Sequence, residues 1–197
     1  MRGVTIAGTQ NGGEGMVVLG GAWVERSKIV NNAGGGIVVD GGGTLVLENS
    51  FVGGNIDDVH AVLVTDGTAD IVYSTLAGGD DFGDVASALT CASGEGTNVR
   101  NSLLVAASSS AEVVCAGADI NGNALESSVP GNVALGDVSP AWLASYALGD
   151  FHLSGTHPPA IETAAIWQSG DPTTDIDGDA RPSTEGSPDF AGADVIP

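Results

Sequence analysis

The chain has 197 residues, 31 of them Gly, with 25 Asp plus Glu against 5 Lys plus Arg and a formal net charge of −20. That length suits one domain with a real core. The charge excludes the basic surface that nucleic acid requires, repels anionic lipid, and favours divalent cations and solubility.

Residues 1–20 read as a first, incomplete coil. Apolar runs at residues 4–7 and 16–19 are split by Gln10-Asn11-Gly12-Gly13. A repeat is thus already under way at the start, and Met1-Arg2 leads into Gly3-Val4-Thr5 with no long apolar segment of a signal peptide. The expectation is the C-terminal part of a longer exported protein carrying an added Met, placed extracellularly or at a cell surface. The alternative, if Met1 is the native start, is an intracellular solenoid. No 18-residue apolar segment occurs, so no membrane insertion is expected.

Residues 36–55 show the unit most clearly. An apolar run (Ile37, Val38, Val39) meets a glycine corner (Gly41, Gly42, Gly43). A second run (Leu45, Val46, Leu47) leads into Asn49-Ser50, Val52 and another glycine pair. Equivalent positions recur along the chain: Val24, Leu47, Ile71, Val99, Ile120, then Ser27, Ser50, Ser74, Ser102, Asn123, then Ile29, Val52, Leu76, Leu104, Leu125. A further series is Val18, Val39, Val64, Cys91, Cys115, each preceded two residues earlier by Met16, Ile37, Val62, Leu89 and Val113. Repeats of this period mark a solenoid, in which one coil cannot bury its apolar side alone but stacked coils bury a continuous core. Apolar residues two apart, β-branched runs and Gly-rich corners specify strands rather than helices. The fold expected is all-β, a right-handed parallel β-helix solenoid of about five to seven coils with an irregular C-terminal cap. Residues 1–125 are assigned to the coils and 126–197 to a coil and cap region packed on the same solenoid.

Alternation assigns faces. Asp40, Thr65 and Glu112 share a parity that faces out, which makes Val17, Val38, Leu63, Thr90 and Val114 an exposed apolar stripe, covered by the C-terminal tail or by a partner. Glu25, Glu48, Val72 and Arg100 read as a solvated ladder. Cys91 and Cys115 fall at the same point of successive coils, about 5 Å apart, within reach of a disulfide and hence of an oxidising compartment. The alternative is a pair of inward thiols filling core space.

The corners carry the acids. Asp57-Asp58 with His60, and Asp80-Asp81 with Asp84, lie at successive coils. Paired carboxylates suit the acid and base of glycoside hydrolysis. Solvated turn aspartates are the alternative and the preferred reading. After Leu125 come all eight prolines and two of the three tryptophans, Trp142 and Trp167. An open solenoid end needs covering, so an irregular cap is expected here. Trp142, Trp167 and Tyr146 form either cap packing or a sugar-stacking platform. His152, between Phe151 and Leu153, is expected to point outward. His157 lies in a loop before Pro158-Pro159. No histidine spacing suggests zinc. Asp175, Asp177 and Asp179 alternate around Gly178, as oxygen ligands do in Ca²⁺ loops. The alternative has them accept backbone N–H bonds and pair with Arg181, locking the cap.

The tail segments Asp150-Phe151-His152-Leu153, Asp175-Ile176-Asp177-Gly178-Asp179-Ala180-Arg181-Pro182 and Asp189-Phe190-Ala191-Gly192-Ala193-Asp194 resemble the C-terminal ends of secreted or surface bacterial proteins with right-handed parallel β-helix repeats, the pectate-lyase-like superfamily. The closing segment is one residue longer than the usual D-x-G. The resemblance implies export and the β-helix fold and no single activity. Pectin-hydrolysing relatives pair their aspartates with Gly-His-Gly and Arg-x-Lys segments, and neither occurs here. The function expected is a non-catalytic exported module, structural or binding polysaccharide or another surface protein, with no cofactor unless Ca²⁺ occupies the tail loop. The alternative is a polysaccharide lyase, epimerase or hydrolase using Asp57, Asp58, His60, Asp80 and Asp81.

Overall fold

In the computed structural model, residues 1–54, 59–79, 87–106, 111–136 and 140–196 are described. Short strands coil into a parallel β-solenoid of about four turns. Among the described residues the coils build three sheets. Sheet 1 stacks Met16–Val18, Ile37–Val39, Val62–Val64, Leu89–Cys91 and Val113–Val114. Sheet 2 stacks Gly21–Glu25, Gly43–Glu48, Gly67–Val72, Asn98–Arg100 and Asp119–Asn121. Sheet 3 runs from Thr5–Ala7 through Lys28–Val30, Phe51–Gly53, Thr75–Ala77, Leu103–Val105 and Ala124–Leu125 to Val133–Ala134. The turn count falls short of the five to seven expected. Beyond Leu125 the chain adds one more rung and then leaves the ladder, because its prolines cannot donate to one.

Register follows the repeat. Val24 stands against Leu47, Leu47 against Ile71, Ile71 against Val99 and Val99 against Ile120. The first four of these side chains are at most 1% exposed, and each such burial stabilises by about 1.5–3 kcal/mol. Close stacking sets the glycines. A Cβ on Gly53, whose φ is 128°, would lie 1.8 Å from the Ala77 carbonyl oxygen of the next coil.

The corner between sheets 2 and 3 is built the same way in successive coils. Arg26, Asn49, Tyr73 and Asn101 adopt the left-handed conformation with φ of 45–55°, which carries a steric cost for side chains other than Gly. The next residue is Ser27, Ser50, Ser74 or Ser102. The Ser50 hydroxyl accepts the Ser27 amide and donates to the Glu48 carbonyl, and the pattern repeats at Ser74 and Ser102. Asn123 replaces the serine at the last rung, its Oδ1 accepting the Ser102 amide at 2.9 Å. A polar residue is therefore buried at every coil with its bonds made inside the wall.

Residues 140–196 lie along the outer face of sheet 3, on the flank of the coils, rather than over the solenoid end or the sheet 1 stripe as the sequence reading expected. Phe51, Tyr73, Leu103 and Val105 point outward from the coils into a second core with Tyr146, Phe151, Ile161 and Trp167. The central strands of sheet 3 are thereby buried on both faces, as their continuous apolar runs allow. The left-handed corner residues are the docking points. Arg26 Nε donates to the Ile176 carbonyl, Asn49 Nδ2 to that of Thr174, and Asn101 Nδ2 to that of Ile166. The Arg181 guanidinium lies over the Tyr73 ring, 4.2 Å from its centroid.

Two face assignments are corrected. Val72 is 4% exposed, and Arg100 is held by a buried Asp171 through two bonds of 2.9 and 2.5 Å, so the tail closes half of the ladder read as solvated. Glu112, read as facing out, is buried with its carboxylate bonded to the Ser127 amide and hydroxyl. Cys91 and Cys115 form a disulfide, with Cα atoms 4.5 Å apart on stacked coils.

Candidate functional site

Asp57, Asp58, Asp80 and Asp81 of the acidic corners, with Asp84, lie outside the described residues. His60, the fifth member, sits before the third strand of sheet 1. Its Nδ1 accepts the Ser87 amide at 3.3 Å and lies 3.0 Å from Thr90 Oγ1. Burial pushes its pKa below the ordinary value. A cleft of about 190 Å³ opens beside it, lined by Gly35, Ile37, Val38, Val59, His60 and Leu63.

The three tail aspartates separate by role. Asp175 is fully buried, and its Oδ1 accepts the amides of Asp177, Gly178 and Asp179 at 2.8–2.9 Å while Oδ2 accepts that of Val195 at 3.1 Å. Asp177 and Asp179 are exposed. The lock with Arg181 takes a different form from the one expected. Arg181 pairs with Asp189 at 3.2 Å and donates to the Phe190 and Gly192 carbonyls, rather than pairing with the aspartates of its own loop.

A second constellation forms where the sequence suggested none. The strand Asp150–Leu153 pairs antiparallel with Leu143–Ser145, and its alternation sends Phe151 and Leu153 into the second core. His152 consequently lies on the same side as Asp150. It faces away from Phe151 and Leu153 as expected, but other side chains surround it there. Its ring packs edge-on against Phe51, with centroids 4.9 Å apart, and its side chain is 27% exposed. The Asp150 carboxylate contacts Nδ1. Burial opposes ionisation of Asp150, but the bond and charge of His152 outweigh it and hold its carboxyl below the ordinary value.

On the other side of the ring, Nε2 lies 2.7 Å from Asp177 Oδ2. That buried nitrogen makes no hydrogen bond despite the short contact. Asp194 completes the group, and one ligand atom from each of the three residues falls within 4.8 Å of the others. Asp194 is 7% exposed and accepts the Leu153 amide at 2.7 Å, and burial pushes its pKa up. Among the described residues this is where three metal-ligating side chains converge. Residues 152, 177 and 194 lie one in each of three tail segments distant in sequence, and only folding of the tail brings them together.

Trp142, Trp167 and Tyr146 pack against the cap, with Trp142 part-buried at the edge of the second core. Tyr146 and Trp167 are buried in the second core, and Tyr146 Oη donates to the Gly78 carbonyl at 2.7 Å. Exposed aromatic surface lies elsewhere, at Trp23, which is 60% exposed and donates from Nε1 to Glu48. Comparison with protein-family models, with curated proteins and with solved structures finds no match.

Proposed function

We propose that the chain is a non-catalytic, exported β-helix module of the pectate-lyase-like kind that binds neutral polysaccharide at a cell surface. The observation that carries this reading is the asymmetry of its faces. The tail covers the central strands of sheet 3, whereas the outer ladder of sheet 1 is exposed at its ends, Val17 at 50% and Val114 at 45%, and part-exposed at Val38, Leu63 and Thr90, with Leu19 at 67% just past its first strand and Trp23 at 60% on the first strand of sheet 2. An evenly spaced apolar ladder flanked by an exposed indole suits the apolar faces of a sugar chain. The charge of −20 disfavours uronic-acid polymers and leaves neutral glycans as the ligand class. The disulfide and the tail segments support an exported protein.

The test is incubation of the protein with neutral and acidic polysaccharides, with and without Ca²⁺, read by pull-down and by mass spectrometry of products. Binding of neutral glycan without product, weakened about tenfold by Trp23→Ala, is the expected result. Capture of a surface protein by the same face would replace the ligand and keep the module.

A second reading rests on His60, a half-buried imidazole beside a small cleft and next in sequence to the acidic corner. It makes the protein a polysaccharide lyase, epimerase or hydrolase acting through Asp57, Asp58, His60, Asp80 and Asp81. A cleaved or epimerised product that disappears with Asp81→Ala would establish it and overturn the module.

A further inference from the structure

We propose that His152, Asp177 and Asp194 bind one first-row divalent cation of the Zn²⁺ type, which staples the tail to its own hairpin. The proposal is independent of any glycan bound on sheet 1. It rests on the arrangement around a single imidazole. Asp150 contacts Nδ1, which favours the tautomer protonated there and leaves Nε2 on the side of the Asp177 and Asp194 carboxylates, 2.7 Å from Asp177 Oδ2. A ring nitrogen this close to carboxylate oxygen needs a proton or a metal cation between them, and a metal cation is the one that both carboxylates can share. A carboxylate on the far nitrogen is also the partner that metal-bound histidines generally have.

The ligands are held from outside. Oδ1 of Asp175 gathers the three amides of the loop that carries Asp177, and its Oδ2 holds the amide next to Asp194. Phe51 fixes the plane of the imidazole. One buried carboxylate therefore sets both oxygen ligands, while the solenoid wall sets the nitrogen. Asp177, with its side chain 52% exposed, supplies the adjustable arm. Ligand atoms around a tetrahedral ion stand about 3.4 Å apart, given metal–ligand bonds near 2.1 Å. Entry of the ion thus opens the 2.7 Å contact between Nε2 and Asp177 by roughly 0.7 Å. Three protein ligands leave a fourth position for water.

Donor chemistry selects the ion. An imidazole nitrogen with two carboxylates suits Zn²⁺, Co²⁺ or Mn²⁺, whereas Ca²⁺ takes six to eight oxygens. Among the described residues no cysteine is free to compete, since both are in the disulfide.

The experiment uses tag-free full chain stripped with chelator and dialysed. ZnCl₂ is titrated calorimetrically, CoCl₂ binding is read by visible absorption, and melting is followed with each. The expected result is one ion per chain and a melting temperature raised by about 5–10 °C at a hundredfold excess over Kd. Asp177→Asn and His152→Gln should weaken binding more than about tenfold, and His157→Gln should not. Asp177→Asn changes an exposed side chain and leaves the fold for comparison. Absence of Zn²⁺ and Co²⁺ binding, or binding that both variants retain, would overturn the proposal. So would a Ca²⁺ ion lost with Asp177→Asn but kept with His152→Gln, which would place the cation on oxygen ligands alone.

Discussion

Asp175 holds four backbone amides with one carboxylate, and those amides belong to two segments twenty residues apart. Hydrogen bonds to a charged acceptor contribute about 1.5–3 kcal/mol each and are not additive. Asp175→Ala should lower stability by about 3 kcal/mol, seen as a fall in melting temperature of roughly 6–12 °C by calorimetry. Asp175→Asn, which keeps one acceptor oxygen, should lose less. A loss of under about 1 °C for the alanine variant would mean the turn closes without its cap. His60 makes a prediction in pH. Burial depresses its folded pKa, so the neutral ring contributes stability that is present above its ordinary value of about 6.5 and is lost as the pH falls through the folded value. Protonation must also break the Ser87 amide bond to Nδ1. Between pH 7.5 and 5.0 the wild type should lose more melting temperature than His60→Gln, and parallel curves would show that His60 charges without penalty. The alternation of Asp175, Asp177 and Asp179 is plain in the sequence, but which of them turns inward is not. That is decided by the amide of Val195, which only the folded tail delivers.

The coil was the most legible element. Every apolar series that the repeat aligns became a hydrogen-bonded register in sheets 1 to 3, because an inward side chain stacks on its equivalents in the coils before and after it. The serine series was equally visible, and its reason is the bond each hydroxyl makes to the preceding coil. The left-handed corner was not legible at Arg26 and Tyr73, since neither residue type favours positive φ. There the docked tail compensates the local strain, through Ile176 for Arg26 and Arg181 for Tyr73. The stacked cysteines were aligned by the same repeat, and the disulfide between them crosslinks two rungs at a sequence separation of 24. In the chain-entropy account a loop of that size stabilises by about 3 kcal/mol. Cys91→Ala with Cys115→Ala should therefore melt roughly 6–12 °C lower than the oxidised protein, and reduction should cost the wild type a similar amount. An unchanged melting temperature would mean that the strand ladders alone fix the last coils.

At the scale of the whole molecule, two apolar cores share one wall. Inside sheet 3 stand Ile29, Val52, Leu76 and Leu104, and outside it stand Phe51, Leu103 and Val105 against the tail. The repeat announces the first core because its period is fixed. The second was hidden because its tail half has no period and its sheet half looks like an ordinary buried strand. The consequence is an unequal dependence. The tail makes few contacts of its own, its strands being two to four residues long, and it needs the sheet as a template. The solenoid needs the tail to cover a wall that would otherwise expose Phe51, Tyr73, Leu103 and Val105 together, well beyond the scattered apolar residues a soluble surface tolerates. It would also uncover Arg26, Asn49 and Asn101, whose partners are tail carbonyls. Deleting residues 140–196 should therefore leave a chain that retains β-sheet circular dichroism but binds a hydrophobic dye and self-associates in sedimentation, the net charge notwithstanding. A truncated chain that stays monomeric and dye-silent would show that the solenoid is complete by itself and that the outer face of sheet 3 tolerates water.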